Sequence, residues 1–137
     1  MIQSAEEFVR LRTSADPLDS IRATQDDATE EVWLAIVRDY PAMREWVAHN
    51  KTAPLSVLHI LAEDQDPKVR MTVAMVRRAG EDILRRLALD PESSVRRAVA
   101  FNAKAPADVV ELLAKDACEH VAEGARSRLR RARKKQE

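Results

Sequence analysis

The sequence predicts an all-α protein made of short helices that recur along the chain. Three observations carry this. Only 2 Gly and 4% aromatics among 137 residues leave a sheet without turn glycines or aromatic strand positions. Neither LSVLHILA nor VRMTVAMV alternates strictly between apolar and polar residues, as a half-buried strand would. Residue types also recur every 26 positions, the mark of stacked units. With 45% apolar and 34% charged residues, the chain is a highly charged globular protein and not a disordered one.

The repeat is visible row by row. Leu61-Ala62, Leu87-Ala88 and Leu113-Ala114 keep the step of 26, as do Asp64, Asp90 and Asp116. Val69, Val95 and Val121 form another row, with Met43 one step earlier. Arg44, Arg70 and Arg96 follow, then Val47, Val73 and Val99, then Ala48, Ala74 and Ala100. Asn50 and Asn102 agree, with Val76 between them. The pattern fades before residue 28. It fades again at the end, where Ala122 replaces the Arg and Arg126 the Ala. Such fading suits capping repeats, whose outer faces meet water.

The period splits in half, so each half is one helix and a turn. Pro41, Pro54 and Pro67 are 13 apart, Gly80 is next, and Pro106 lies 26 beyond it. Proline suits a first helical turn, where its missing N–H has no partner to lose. Helices are expected near 5–13, 17–24, 28–38, 41–49, 54–63, 67–78, 80–89, 92–101, 106–115 and 118–133. The first opens on Ser4, with Glu7 at capping-box spacing. The helix near 54–63 carries a stripe of Leu55, Leu58, Ile60, Leu61 and Ala62, and the next carries Val69, Val73 and Val76. Asp66-Pro67 and Asp90-Pro91 are each expected as N-cap and first helical residue. Asn50 and Asn102 fit helix ends in a left-handed conformation.

Helices this short are marginal alone, because nucleation is costly. Pairing buries one face and stacking pairs in register buries the next. The expected result is a single domain over 1–137, a right-handed superhelical stack of about four to five repeats. Residues 1–27 would cap one end, 28–117 form the core, and 118–137 give a capping helix with a basic tail.

The segments LAEDQDPKVRMTVA, LALDPESSVRRAVAFN and LLAKDACEHVAEGA share a turn Asp, then a Val (followed by Arg in the first two), then an Ala-rich helix. Over residues 28–125 the chain resembles a HEAT-like α-solenoid, close to the leucine-rich-repeat variant group. That resemblance implies that the Val-Arg helices, 41–49, 67–78, 92–101 and 118–133, line a concave face. The variant group includes a member with an iron–sulfur cluster, but Cys118 is the only cysteine, so no cofactor follows.

Chemistry-bearing residues give a narrower picture. His49, His59 and His120 lack helical pairing, and Cys118 stands near His120 only, so neither a metal site nor nucleophilic catalysis is expected. The Arg row has two readings. It is either a ladder to turn carbonyls and to the Asp row, or a line of cations reading phosphates or carboxylates. Trp46 aligns with the smaller Thr72 and Ala98, so it covers the stack's end or anchors a partner. Trp33 sits in a row with His59, Arg85 and Glu111, and packing is favoured for it.

Charge is balanced at 23 basic and 23 acidic residues, yet residues 1–66 carry a net −7 (6 basic, 13 acidic) and 67–137 a net +7 (17 basic, 10 acidic). The expected function is non-catalytic protein binding on the concave face, through Arg44, Trp46, His49, Arg70, Arg96 and Arg97. The alternative is nucleic-acid binding by the Arg row and by Arg126, Arg128, Arg130, Arg131 and Arg133 of the tail. No aromatic is interleaved in that tail, which argues against base stacking. No membrane contact is expected, because no long apolar run exists and the tail's apolar face is thin. The single cysteine and the absence of a signal-peptide pattern in MIQSAEEFVRLR point to the cytoplasm.

Overall fold

The computed structural model describes residues 1–136. Among them the chain is all-α: ten α-helices and one 3-10 turn, with no strand. The helices are α1 (Ala5–Thr13), α2 (Pro17–Gln25), α3 (Glu30–Asp39), α4 (Arg44–His49), α5 (Leu55–Leu61), α6 (Pro67–Met75), α7 (Glu81–Leu87), α8 (Ser93–Phe101), α9 (Ala107–Leu113) and α10 (Glu119–Gln136). The 3-10 turn, Pro41–Met43, leads into α4. No helix among the described residues is long and apolar enough to cross a membrane.

The chain divides into two compact units, Met1–Glu63 and Asp64–Glu137. In the first, α1 packs on α2 and α3, and α3 packs on α4 and α5. Its core holds Ile2, Phe8, Leu11, Trp33, Ile36, Val47, Leu58 and Leu61, each with no exposed surface. Phe8 meets Trp33 edge-on, with ring centroids 5.6 Å apart. In the second unit, α8 packs on α6 on one side and on α10 on the other, α7 touches α6 and α8, and α9 touches α8 and α10. Its core is aliphatic. Val69, Val95 and Val121 are all buried, as are Val73 and Val99. The row spacing of 26 thus becomes a row of helices with equivalent residues facing one core.

Local signals explain most helix starts. Ser4 Oγ accepts the Glu7 N–H at 3.1 Å, and the Glu7 carboxylate reaches back to the Gln3 N–H at 3.0 Å. Asp66 caps α6 by accepting the Lys68 N–H at 2.9 Å, with Pro67 in the first turn. Gly80, at φ +89°, opens α7 in a conformation that side chains disfavour.

Three local expectations are corrected. Asp90-Pro91 is not a cap and first residue: α8 begins at Ser93, and Asp90 sits in the turn, accepting the Glu92 N–H at 2.9 Å. Asn50 and Asn102 are extended (φ −65° and −73°), not left-handed, and no residue other than glycine has positive φ among those described. The α5 stripe is Val57, Leu58, Leu61 and Ala62, while Leu55 and Ile60 face outward. At 100° per residue Ile60 falls opposite Leu58, and Leu55 falls at the edge of the buried face.

The two asparagines are there for their side chains. Asn102 Nδ2 donates to the carbonyls of Ala74 (2.8 Å) and Val76 (3.0 Å), one repeat back. Its Oδ1 accepts the Lys104 N–H at 2.8 Å. Asn50 does the same with Ala23 (2.8 Å) and Asp26 (3.0 Å), and accepts from Thr52 at 2.7 Å. One amide thus satisfies orphan carbonyls at the end of the previous helix and pins the next turn.

Candidate functional site

The predicted site residues fall on three helices: Arg44, Trp46 and His49 on α4, Arg70 on α6, and Arg96 and Arg97 on α8. Their side chains are differently engaged.

Arg70 and Arg96 form a ladder within the second unit. Arg70 grips Asp90 through Nε (2.8 Å) and a terminal nitrogen (3.1 Å), and its other terminal nitrogen bonds the carbonyl of Asp64 at 2.7 Å. Arg96 repeats the pattern on Asp116 (2.8 and 3.1 Å) and on the carbonyl of Asp90 (2.8 Å). Each Arg therefore holds its own turn and the Asp of the next repeat. The pairs are largely buried, with 14% and 6% exposure for Arg70 and Asp90. Arg96's hydrogen bond, supported by the Cys118 N–H, holds the Asp116 carboxyl below its ordinary value. Bidentate geometry of this kind fixes orientation as well as charge. The donors a ligand would need on these two residues are occupied.

In the first unit, Arg44 Nε donates to the carbonyl of Val37 at 2.7 Å. The guanidinium of Arg12 lies 3.6 Å from the centroid of the Trp46 ring, and His49 lies against the same indole at 5.5 Å. Trp46 is half-buried and His49 exposed. Trp33 is fully enclosed, as favoured from its sequence. Its indole Nε1 has no hydrogen-bond partner.

Arg97 points elsewhere than its neighbour Arg96. It is exposed, and its guanidinium stands 4.9 Å over the ring of Phe101. Phe101 itself is 51% exposed and Met75 58% exposed. Together with Met71, Ser94, Ala98 and Asn102 they line a groove of about 360 Å³ between α6 and α8. A second cleft lies beside it, lined by Phe101, Ala103, Arg128, Arg131, Ala132 and Lys135.

The tail is a continuous part of α10 and is not uniform. Arg126 pairs with Glu119 at 3.1 Å and Arg130 with Glu123 at 2.9 Å. Arg128 lies in register with Asn102 and takes over its work. It donates to the carbonyls of Ala100 and Asn102, the same steps of 28 and 26 residues back, and to Ala103 at 2.8 Å. Burial, with the nearby charge of Arg131, pushes its guanidinium down from the ordinary value. Arg131 and Arg133 are exposed.

Phe101, Met71, Met75 and Gly124 also belong to the site, although no motif in the sequence marks them. Gly124 lies inside α10, in the row of Trp46, Thr72 and Ala98. A Cβ there would stand 2.9 Å from Phe101 Cε2. The chain's second glycine thus gives room to the Phe101 ring. A helix-interior glycine in a 26-residue register was the available signal. The Phe also shares its row with His49 and Met75.

Among the described residues no three His, Cys, Asp or Glu side chains gather as a metal would require. Cys118 is half-buried, its thiol lowered by the backbone N–H groups of Val121 and His120 at the start of α10. No family model matches the chain, and no curated protein or solved structure matches it.

Proposed function

We propose that this chain is a short right-handed α-solenoid of the HEAT-like class that acts as a non-catalytic protein-binding scaffold in the cytoplasm. The row α6, α8 and α10 forms the binding layer. The packing order of those helices and the Arg–Asp ladder between successive repeats support the solenoid. The observation that carries the function is the exposed apolar groove of Met71, Met75 and Phe101 beside Arg97. Exposed Met and Phe around a concavity suit a protein contact better than water. On the first unit, Trp46 with Arg12 and His49 offers a second contact of the same kind.

Nucleic-acid binding is the second reading. It gains from one placement: Phe101 borders the same cleft as Arg131 and Lys135, so an aromatic does accompany the basic tail.

A photo-crosslinking residue in place of Ser94, in the cells that make the protein, separates the two. The scaffold reading expects a discrete protein adduct that is lost when Phe101→Ser is added. Adducts made only to nucleic acid transfer the function to the second reading, and an absence of any adduct removes the scaffold.

A further inference from the structure

We infer, resting on the scaffold reading above, that the Phe101 groove takes an acidic segment of a partner protein, anchored by a bulky apolar side chain. Three observations converge on it.

First, Phe101 is held out, not tucked in. It ends α8 at 51% exposure, leaving about half of its ring surface in water. Its ring rests where Gly124, in the second turn of the 18-residue α10, lacks a Cβ. A helix-interior glycine costs about 0.5–1 kcal/mol relative to alanine. The glycine weakens α10, and about half of the ring is left in water. Together they set one aromatic ring in one place, as an interface anchor requires.

Second, the floor beside that ring is methionine. Met71 and Met75 line the groove with Ala98. Flexible, polarizable thioethers adapt to aliphatic or aromatic side chains of varied shape. Arg97 stands over one face of Phe101, so at most the other face is open to a stacked base.

Third, the rim has one sign. Arg97 borders the groove, and Arg128, Arg131 and Lys135 border the adjoining cleft. No Asp or Glu among the described residues lines either. An acidic segment complements that potential, and a basic one is repelled by it.

Selection of short random displayed peptides on the full chain tests this, followed by anisotropy titration of the recovered sequences. The expected peptides are net acidic and carry a Leu, Met, Phe or Trp. Phe101→Ala should weaken them about 10-fold or more. The pair Arg131→Glu and Lys135→Glu touches no core residue, so its loss of affinity reports on the rim even if Phe101→Ala disturbs α8. Gly124→Ala should displace the ring and weaken binding without unfolding the chain. Neutral or basic peptides, or no peptides at all, overturn the inference. So does oligo-dT binding that depends on Phe101, or a self-associated chain that Phe101→Ala dissociates. Peptides insensitive to Phe101→Ala but lost in Trp46→Ala overturn this groove and leave the scaffold reading standing.

Discussion

The two units solve the same problem with different residues. Met1–Glu63 holds four of the chain's five aromatics, and its centre is the Phe8–Trp33 contact. Asp64–Glu137 holds one, Phe101, and leaves it half in water. In residues 1–27 of the first unit the repeat register has faded, and the rings of Phe8 and Trp33 fill the space between α1 and α3. In the second the register runs through α6 and α8 and loosens in α10, at Ala122 and Arg126. Rows of Val, Leu and Ala meet equivalents 26 residues away, and buried ion pairs tie each turn to the next. Facing rows of Val, Leu and Ala fill that core without an aromatic. That is why the one it has is informative about the surface.

This contrast is breakable by mutation. Trp33→Ala, which empties the largest fully buried side chain, should cost about 3–5 kcal/mol in denaturant unfolding. Phe101→Ala, which removes a half-exposed ring, should cost only about 1 kcal/mol. Similar losses at both positions would abolish the distinction between the units.

Asp90→Ala comes next. It leaves Arg70 largely buried with no carboxylate, so a loss of about 3 kcal/mol is expected. A chevron or urea titration that finds less than about 1 kcal/mol would make the ladder ornamental.

Asn102→Ala should cost about 2 kcal/mol, since two carbonyls and a turn N–H lose their partner. Asn50→Ala should cost at least as much, because Asn50 makes the same two carbonyl bonds and its Oδ1 also accepts from the Thr52 hydroxyl and the Ala53 N–H. Arg128→Ala removes the third version from a more exposed helix, and about 1 kcal/mol is expected there. A clearly smaller loss at Asn50 than at Asn102 would show that the asparagine is not a shared element.

A smaller effect lies in acid. The folded pKa of Asp116 is below its unfolded value, so its stabilisation is complete above the unfolded carboxyl range. It shrinks as pH falls below about 4 and is gone once the folded value is passed. Asp116→Asn should therefore be less stable than wild type at neutral pH and lose stability less steeply below about pH 4. Parallel stability profiles for the two proteins would contradict the assignment.

Much of the fold was legible in the sequence because a repeat states its own boundaries. All ten helices lie within a few residues of their expected positions, and the Val69, Val95, Val121 row is buried as its spacing implies. Two kinds of detail were not legible. Asp90-Pro91 matches Asp66-Pro67 as a dipeptide but sits two residues earlier in the register, so composition misled where alignment would not. Asn50 and Asn102 were assigned to backbone conformation, whereas they act through side-chain bonds to residues about a repeat away. Long-range partners of that kind have no local signature. The site was less legible still. Arg96 and Arg97 are adjacent in sequence and differ entirely in surroundings, one clamped to Asp116 and the other over Phe101. Only the direction of each side chain on α8 separates them. Phe101 and the tail are likewise distant in sequence and meet only when α8 packs on α10.

The central claim is that near-copies of one hairpin hold each other through the Arg of one and the Asp of the next. A double-mutant cycle on Arg96 and Asp116, using Arg96→Met, Asp116→Asn and the double variant, measures it most directly. A coupling energy of about 1–3 kcal/mol is predicted. Additivity within about 0.5 kcal/mol would contradict it.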